Sequence, residues 1–251
     1  MADPRTTAAE VKGPIGVLGG KWMLSREAKA ACEELRLGPR EAYFRGRCGV
    51  LGEVHADVVT SVAVFFPPAH VTESWEGGRK VPVEQAVARY AVACQEWGRR
   101  NLGGFDGCAR LAELLEPVVE HASPVGAPLF AGWRAVPLPA DAPARATQLM
   151  HVVRELRGGV HAAAVVAAGM HPLDAMLAIE HPGTPFGNVA GETMAKFFEW
   201  PEPYPAPAPD VVERRKVIEE QTNDVMAPFF EVLSEVERDE LIGLVRLGHA
   251  S

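Results

Sequence analysis

The chain has 251 residues, of which 47% are hydrophobic and 23% charged, which excludes disorder as its main state and allows a core without disulfides or metals. Its 25 Lys and Arg stand against 33 Asp and Glu, a formal net charge of -8 that is ill suited to neutralising nucleic-acid phosphate. No charged-then-apolar leader opens it, and no uncharged run reaches the ~18–20 residues of a membrane span. Four cysteines without C-x-x-C spacing read as reduced thiols, so the expected location is the cytoplasm.

In chain order, residues 1–20 read as a loose, flexible arm, because Gly13, Pro14, Gly19 and Gly20 punctuate them. Ser25 is a helix cap for 25–37, and Gly38-Pro39 breaks that helix before a short one over 40–46. Over 54–66 the β-branched content fits a strand, but Val54, Val58, Val59, Val62 and Phe65 follow helical spacing for three turns, which favours a helix. A long amphipathic helix follows over Val83–Leu102, with Ala86, Tyr90, Cys94 and Trp97 on one stripe. Further helices are expected over 106–121, 142–156, 160–168, 172–181 and 187–200, with glycine or proline between them. The PEPYPAPAP stretch, 201–209, is an extended linker, and helices over 210–232 and 234–247 complete the chain. The sum is an all-α, multi-helix globular fold of about ten helices: a core over 21–200 and a C-terminal helical pair over 210–251 packed against it.

The most polar constellation inside an apolar stretch is HVVRELRGGVH, residues 151–161. On a continuous helix Arg154, Arg157 and His161 share a face. If Gly158-Gly159 breaks the helix instead, His161 opens a new one whose N–H groups point back at the arginines. Either arrangement suits a carboxylate, phosphate or sulfate, with His161 placed to move a proton and Glu155 to orient a basic group or act as a second acid/base. The blander alternative is a set of surface ion pairs and a capping histidine. A second cluster, YFRGRCGVLG at 43–52, offers Tyr43 and Arg47 to a ligand, and His55 with Asp57 follows as an alternative general base; a plain helix end and turn explains it equally well. His151 and Glu155 are spaced to share a metal, but no third ligand and no H-E-x-x-H accompanies them, so neither a metal nor a cofactor is expected. No G-x-S-x-G nucleophile motif is present.

Two segments resemble a known family. YFRGRCGVLGEVHADVVTSVAVFFPPA is similar to a YFxGRxxPLGxVxAxVVTAxFxNFxP pattern, and RELRGGVHAAAVVAAGMHPLDAML to LREHRGDGHVAALVAAGLxGLEAL. The end, VIEEQTNDVMAPFFEVLSEVERDEL, resembles IExxTDxLAxxPWxxL. These patterns belong to an actinobacterial family labelled helix-turn-helix or SalK-like, mostly uncharacterised and often encoded among natural-product genes; the likeness spans about 25–245. It carries over Tyr43, Gly46, Arg47, Leu51 and Gly52, and Arg154, Glu155, Arg157, Gly158 and His161, and it implies a ligand-binding or ligand-transforming site. The family's PLG appears here as Val50-Leu51-Gly52, without the proline. The resemblance also implies a winged-helix-like stretch ahead of the last helices. Here 180–210 is short and proline-rich, with Lys196 its only cation, and 201–251 carries 11 acids against 5 bases, so that part is degenerate for DNA binding.

The expected function is a cofactor-independent enzyme doing acid/base chemistry on an anionic small metabolite in specialised metabolism. Elimination or intramolecular cyclisation with loss of an anionic leaving group fits the residue inventory. Two other readings stand beside it: a helix-turn-helix-derived transcription regulator or ligand sensor, and a scaffold subunit of a biosynthetic complex. Neither nucleic acid nor a membrane is an expected partner. A homodimer and a hetero-complex with a small partner protein both stay open.

Overall fold

Helix starts in this chain are written as oxygen-bearing caps and prolines. Asp3 accepts from the Thr6 N–H at 2.7 Å, Ser25 from Ala28 at 3.3 Å and Asp141 from Ala144 at 3.4 Å, and Pro4, Pro39, Pro68, Pro128, Pro143, Pro172 and Pro209 fill first-turn positions where a missing N–H costs nothing. The computed structural model describes residues 1–179 and 190–250. Among these it contains thirteen α-helices and no strand. They are α1 Pro4–Leu18, α2 Arg26–Leu35, α3 Pro39–Cys48, α4 Ala56–Val62, α5 Pro68–Gly77, α6 Val83–Leu102, α7 Cys108–His121, α8 Pro128–Arg134, α9 Ala142–Ala167, α10 Pro172–Leu177, α11 Gly191–Phe197, α12 Pro209–Met226 and α13 Glu235–Ala250. The all-α reading holds, and α6 has the bounds that its hydrophobic stripe predicts.

Helix α9 is the axis of the fold. It packs against α6, α7, α8, α1 and α12, and buries Leu149, Met150, Val152, Val153 and Leu156. It meets α6 at close quarters, where a Cβ on Gly98 would lie 2.4 Å from Thr147 Oγ1 and 2.7 Å from the Pro143 carbonyl; only glycine permits that approach. The two helices expected over 142–156 and 160–168 are one, because Gly158 and Gly159 stay helical. Gly159 is tight against Ala127, which a side chain there would meet at 3.0 Å, whereas Gly158 faces open space.

The loose arm expected over 1–20 is corrected: those residues form α1, with Val11, Ile15 and Leu18 buried at i, i+4 and i+7 against α9, α12 and α13. The helix expected over 54–66 is confined to α4, after which the backbone turns so that Phe66 N–H reaches the Ala63 carbonyl at 2.9 Å. Two helices absent from the sequence reading, α5 and α8, lie between its expected elements. Of the helices expected over 172–181 and 187–200, the described parts are α10 and α11; 180–189 lie outside the described residues. The stretch corresponding to a winged helix holds, over 190–209, α11 and the proline-rich run, with no strand. Met226 of α12, Leu241 and Val245 of α13, and Phe230 in the turn between them enter the same apolar core as α1 and α9.

Candidate functional site

Arg47, near the end of α3, reaches Glu155 on α9 through two hydrogen bonds, Nε to Oε1 at 2.9 Å and Nη2 to Oε2 at 2.7 Å. Arg154 adds a third from Nη1 to Oε1 at 3.0 Å. Burial alone would raise the Glu155 carboxyl, but Arg47 and Arg154 outweigh it and hold the group at about 2. Arg47 in turn is held charged by Glu155 against the cost of burial. Its guanidinium lies over the Tyr43 ring at 5.6 Å, and its carbonyl accepts from Trp133 Nε1 at 2.9 Å. Gly46 lets α3 seat on Tyr90, whose ring a Cβ there would meet at 2.6 Å.

One and two turns further along α9 lies a second charged group. Arg157 donates to Glu219 and, at 3.0 Å, to Asn223 Oδ1, both on α12. Glu219 also accepts from Lys12 on α1 at 3.1 Å and from Arg215 at 3.0 Å, so three cations hold it ionised, well below the usual carboxylate range, against its burial. His161 stacks on Phe65 with ring centres 5.8 Å apart, and its Nδ1 is 2.9 Å from Thr222 Oγ1. Thr222 Oγ1 also lies 2.8 Å from the Ile218 carbonyl, so its hydroxyl stands between that oxygen and the imidazole. Burial, then the positive charge of Arg215, holds the imidazole neutral, its pKa lowered to about 3 despite Glu219.

Both groups line one cavity of about 860 Å³. Among the described residues its lining carries six cations, Lys12, Arg47, Arg154, Arg157, Arg215 and Lys216, against the carboxylates of Glu155 and Glu219, so the hollow is positive in a chain that is negative overall. Most of the remaining wall is apolar, with Phe65, Phe66, Leu129, Val166 and Phe230 among it. An amphipathic anion matches that combination.

Six of the sequence-derived candidates therefore come together here: Tyr43, Arg47, Arg154, Glu155, Arg157 and His161. His55 and Asp57 do not. Their side chains are 76% and 88% exposed, and His55 Nδ1 accepts from the Asp57 N–H as the cap of α4, so their proposed role as a base pair is corrected to a structural one. Glu155 is corrected from acid/base to positioning: its two oxygens accept three arginine N–H groups. His151 is fully buried between the Trp22 and Trp133 rings, 3.9 Å from Glu155, and among the described residues no three His, Cys, Asp or Glu side chains gather as a metal site. Sequence reasoning missed Lys12, Arg215, Glu219 and Thr222. The available signal on α12 was the i, i+4 spacing of Arg215, Glu219 and Asn223, a polar stripe facing α9.

No helix among the described residues is long and apolar enough to cross a membrane. A family model described as a helix-turn-helix family matches residues 8–248, and the chain belongs to that family. No curated protein and no solved structure matches it.

Proposed function

We propose that this member of the helix-turn-helix family is a cofactor-independent enzyme that performs acid/base chemistry on an anionic, largely apolar small metabolite. The observation that carries the reading is the positive cavity with His161 in its wall. Among the described residues Arg154 gives a single hydrogen bond to protein, and it turns its remaining donors to an anionic group, with Arg47 beside it. His161 removes a proton. The neutral ring is the form a base requires, and a bound anion offsets Lys12, Arg157 and Arg215 and so raises its basicity. In an elimination the C–H electron pair becomes the new double bond; in a ring closure the deprotonated atom bonds to the carbon that bears the leaving group. In both, that group departs as an anion with its bonding pair, and the arginines stabilise its charge. Glu155 positions the two guanidinium groups and takes no proton. Likeness of the core segments to the actinobacterial SalK-like group supports a place in specialised metabolism.

The family label favours a second reading, a ligand-sensing regulator that uses the same cavity without chemistry. Against it stands the only basic run, 214–216. Arg215 bonds to the Ala175 carbonyl and Glu219, Arg214 to the Ala168 carbonyl, and Lys216 to Glu213, so all three already have partners within the protein.

Incubation of the protein with a small-molecule extract of its source cell, followed by mass spectrometry, tests the enzyme reading. Wild-type protein is expected to consume an anionic species, and His161→Phe and Arg154→Gln to do so at least ~100-fold more slowly. An extract left unchanged by wild-type protein, or changed equally by all three, would contradict it.

A further inference from the structure

Two carboxylates organise the positive wall of the cavity, and each is outnumbered. Glu155 accepts from Arg47 and Arg154, one negative charge against two positive. Glu219 accepts from Lys12, Arg157 and Arg215, one against three. The neighbouring acid, Glu220, does not redress that count, because it is bonded to Arg5. His161 adds no charge, since burial keeps it neutral. The two excesses lie about one turn apart on α9, with Arg154 in one and Arg157 in the other.

Positive charge gathered in a partly buried place is costly unless something answers it. The cost falls on Arg157, which burial, and then Arg215, hold below the usual guanidinium range despite Glu219. In each group one cation reaches the cavity with donors to spare. The Arg154 side chain is 25% exposed and, among the described residues, gives its one hydrogen bond to Glu155. The Lys12 side chain is 35% exposed, and one of its three N–H donors goes to Glu219. A cleft with a positive excess at two places concentrates anions, and a single ligand that brings a negative group to each answers both.

We infer that the ligand is a dianion: an apolar body with one anionic group at Arg154 and Arg47 and a second at Lys12. The inference rests on the enzyme reading above and adds a second charge to its ligand. The group at Arg154 is the one that leaves. The group at Lys12 takes no part in bond breaking and stays on the product; it anchors the ligand and offsets the cations that face His161. Lys12 is thereby the residue that distinguishes a doubly charged ligand from a singly charged one with the same body.

Calorimetric titration at neutral pH with matched probes tests it: octanedioate against octanoate, decanedioate against decanoate and dodecanedioate against dodecanoate. For the best-fitting length the diacid is expected to bind wild-type protein about tenfold more tightly than the monoacid, an effect read without any variant. Lys12→Met is expected to remove that preference while holding the monoacid as before, and Arg154→Gln to weaken both acids together. Diacids that bind wild-type protein no more tightly than their monoacids at every length, or a preference that survives Lys12→Met, would overturn the second charge alone. Absence of binding by every acid in the series, or binding indifferent to Arg154→Gln, would overturn anion recognition and this inference with it.

Discussion

Arg47 and Glu155, 108 residues apart in sequence, meet through two parallel N–H···O bonds that join α3 to α9 inside the protein. The Glu155 side chain is 1% exposed and that of Arg47 11%, so each desolvated charge depends on the other. Removing one partner of such a pair leaves an uncompensated buried charge, which costs about 3–5 kcal/mol, whereas replacing both by apolar groups of similar size is often neutral. Glu155→Gln is therefore expected to lower unfolding stability by about that amount in chemical denaturation, and Arg47→Met with Glu155→Leu to recover most of it. A Glu155→Gln protein as stable as wild type would show that the pair does not hold α3 in place.

Acid should unfold this protein from below neutrality. The His161 and His151 pKa values are lowered by burial to about 3 and about 4, from an ordinary 6.5. Arg157, Arg215 and Lys12 face the first and oppose its protonation, as Arg154 and Arg47 oppose that of the second; Glu219 and Glu155 pull the other way and do not prevail. The unfolded chain thus takes up these protons first. Stability is full above pH 6.5 and falls as the pH drops toward 4 and then 3. Glu155 and Glu219, both held below the carboxylate range, add loss in the same direction below about pH 4.5. Denaturant midpoints are expected to decline steadily from pH 7 to 4, and less steeply in His161→Phe. A flat profile, or one unchanged by that substitution, would contradict the neutral, buried imidazole.

Continuity of α9 makes opposite demands on two glycines. Gly158 is helical with nothing within 4 Å of its would-be Cβ, so Gly158→Ala is expected to stabilise by about 0.5–1 kcal/mol. Gly98 abuts Thr147 and the Pro143 carbonyl, so Gly98→Ala forces α6 from α9 and is expected to cost about 1–3 kcal/mol. Thermal unfolding of the two variants measures both signs. Destabilisation by Gly158→Ala would mean that the helix breaks there, as one reading of Gly158-Gly159 allows.

Much of the fold was legible where one face repeats for several turns without interruption. The Ala86, Tyr90, Cys94 and Trp97 stripe defines α6 because nothing in it competes with the helix. Residues 1–20 misled because Gly13 and Pro14 weigh heavily in local propensity, while the Asp3 cap, Pro4 at the first position and the Val11, Ile15 and Leu18 stripe weigh more in the packed protein. The glycine pair in α9 misled similarly: helix propensity disfavours it, yet both residues are helical, and only Gly159, tight against Ala127, has a neighbour that a side chain would crowd. At the site, the residues contributed by α9 were readable from spacing on one helix. Lys12, Arg215, Glu219 and Thr222 come from α1 and α12, and no spacing within one segment announces which distant helix will supply a partner.

The central claim is that the cavity beside α9 holds an amphipathic anion by its arginines. Crystals grown with 10-bromodecanoate, read by the anomalous signal of the bromine, test it most directly. The bromine is expected among Phe65, Phe66 and Val166, with the carboxylate within hydrogen-bonding distance of Arg154. A bromine found only on the outer surface, or a carboxylate turned away from Arg154 and Arg47, would contradict the account.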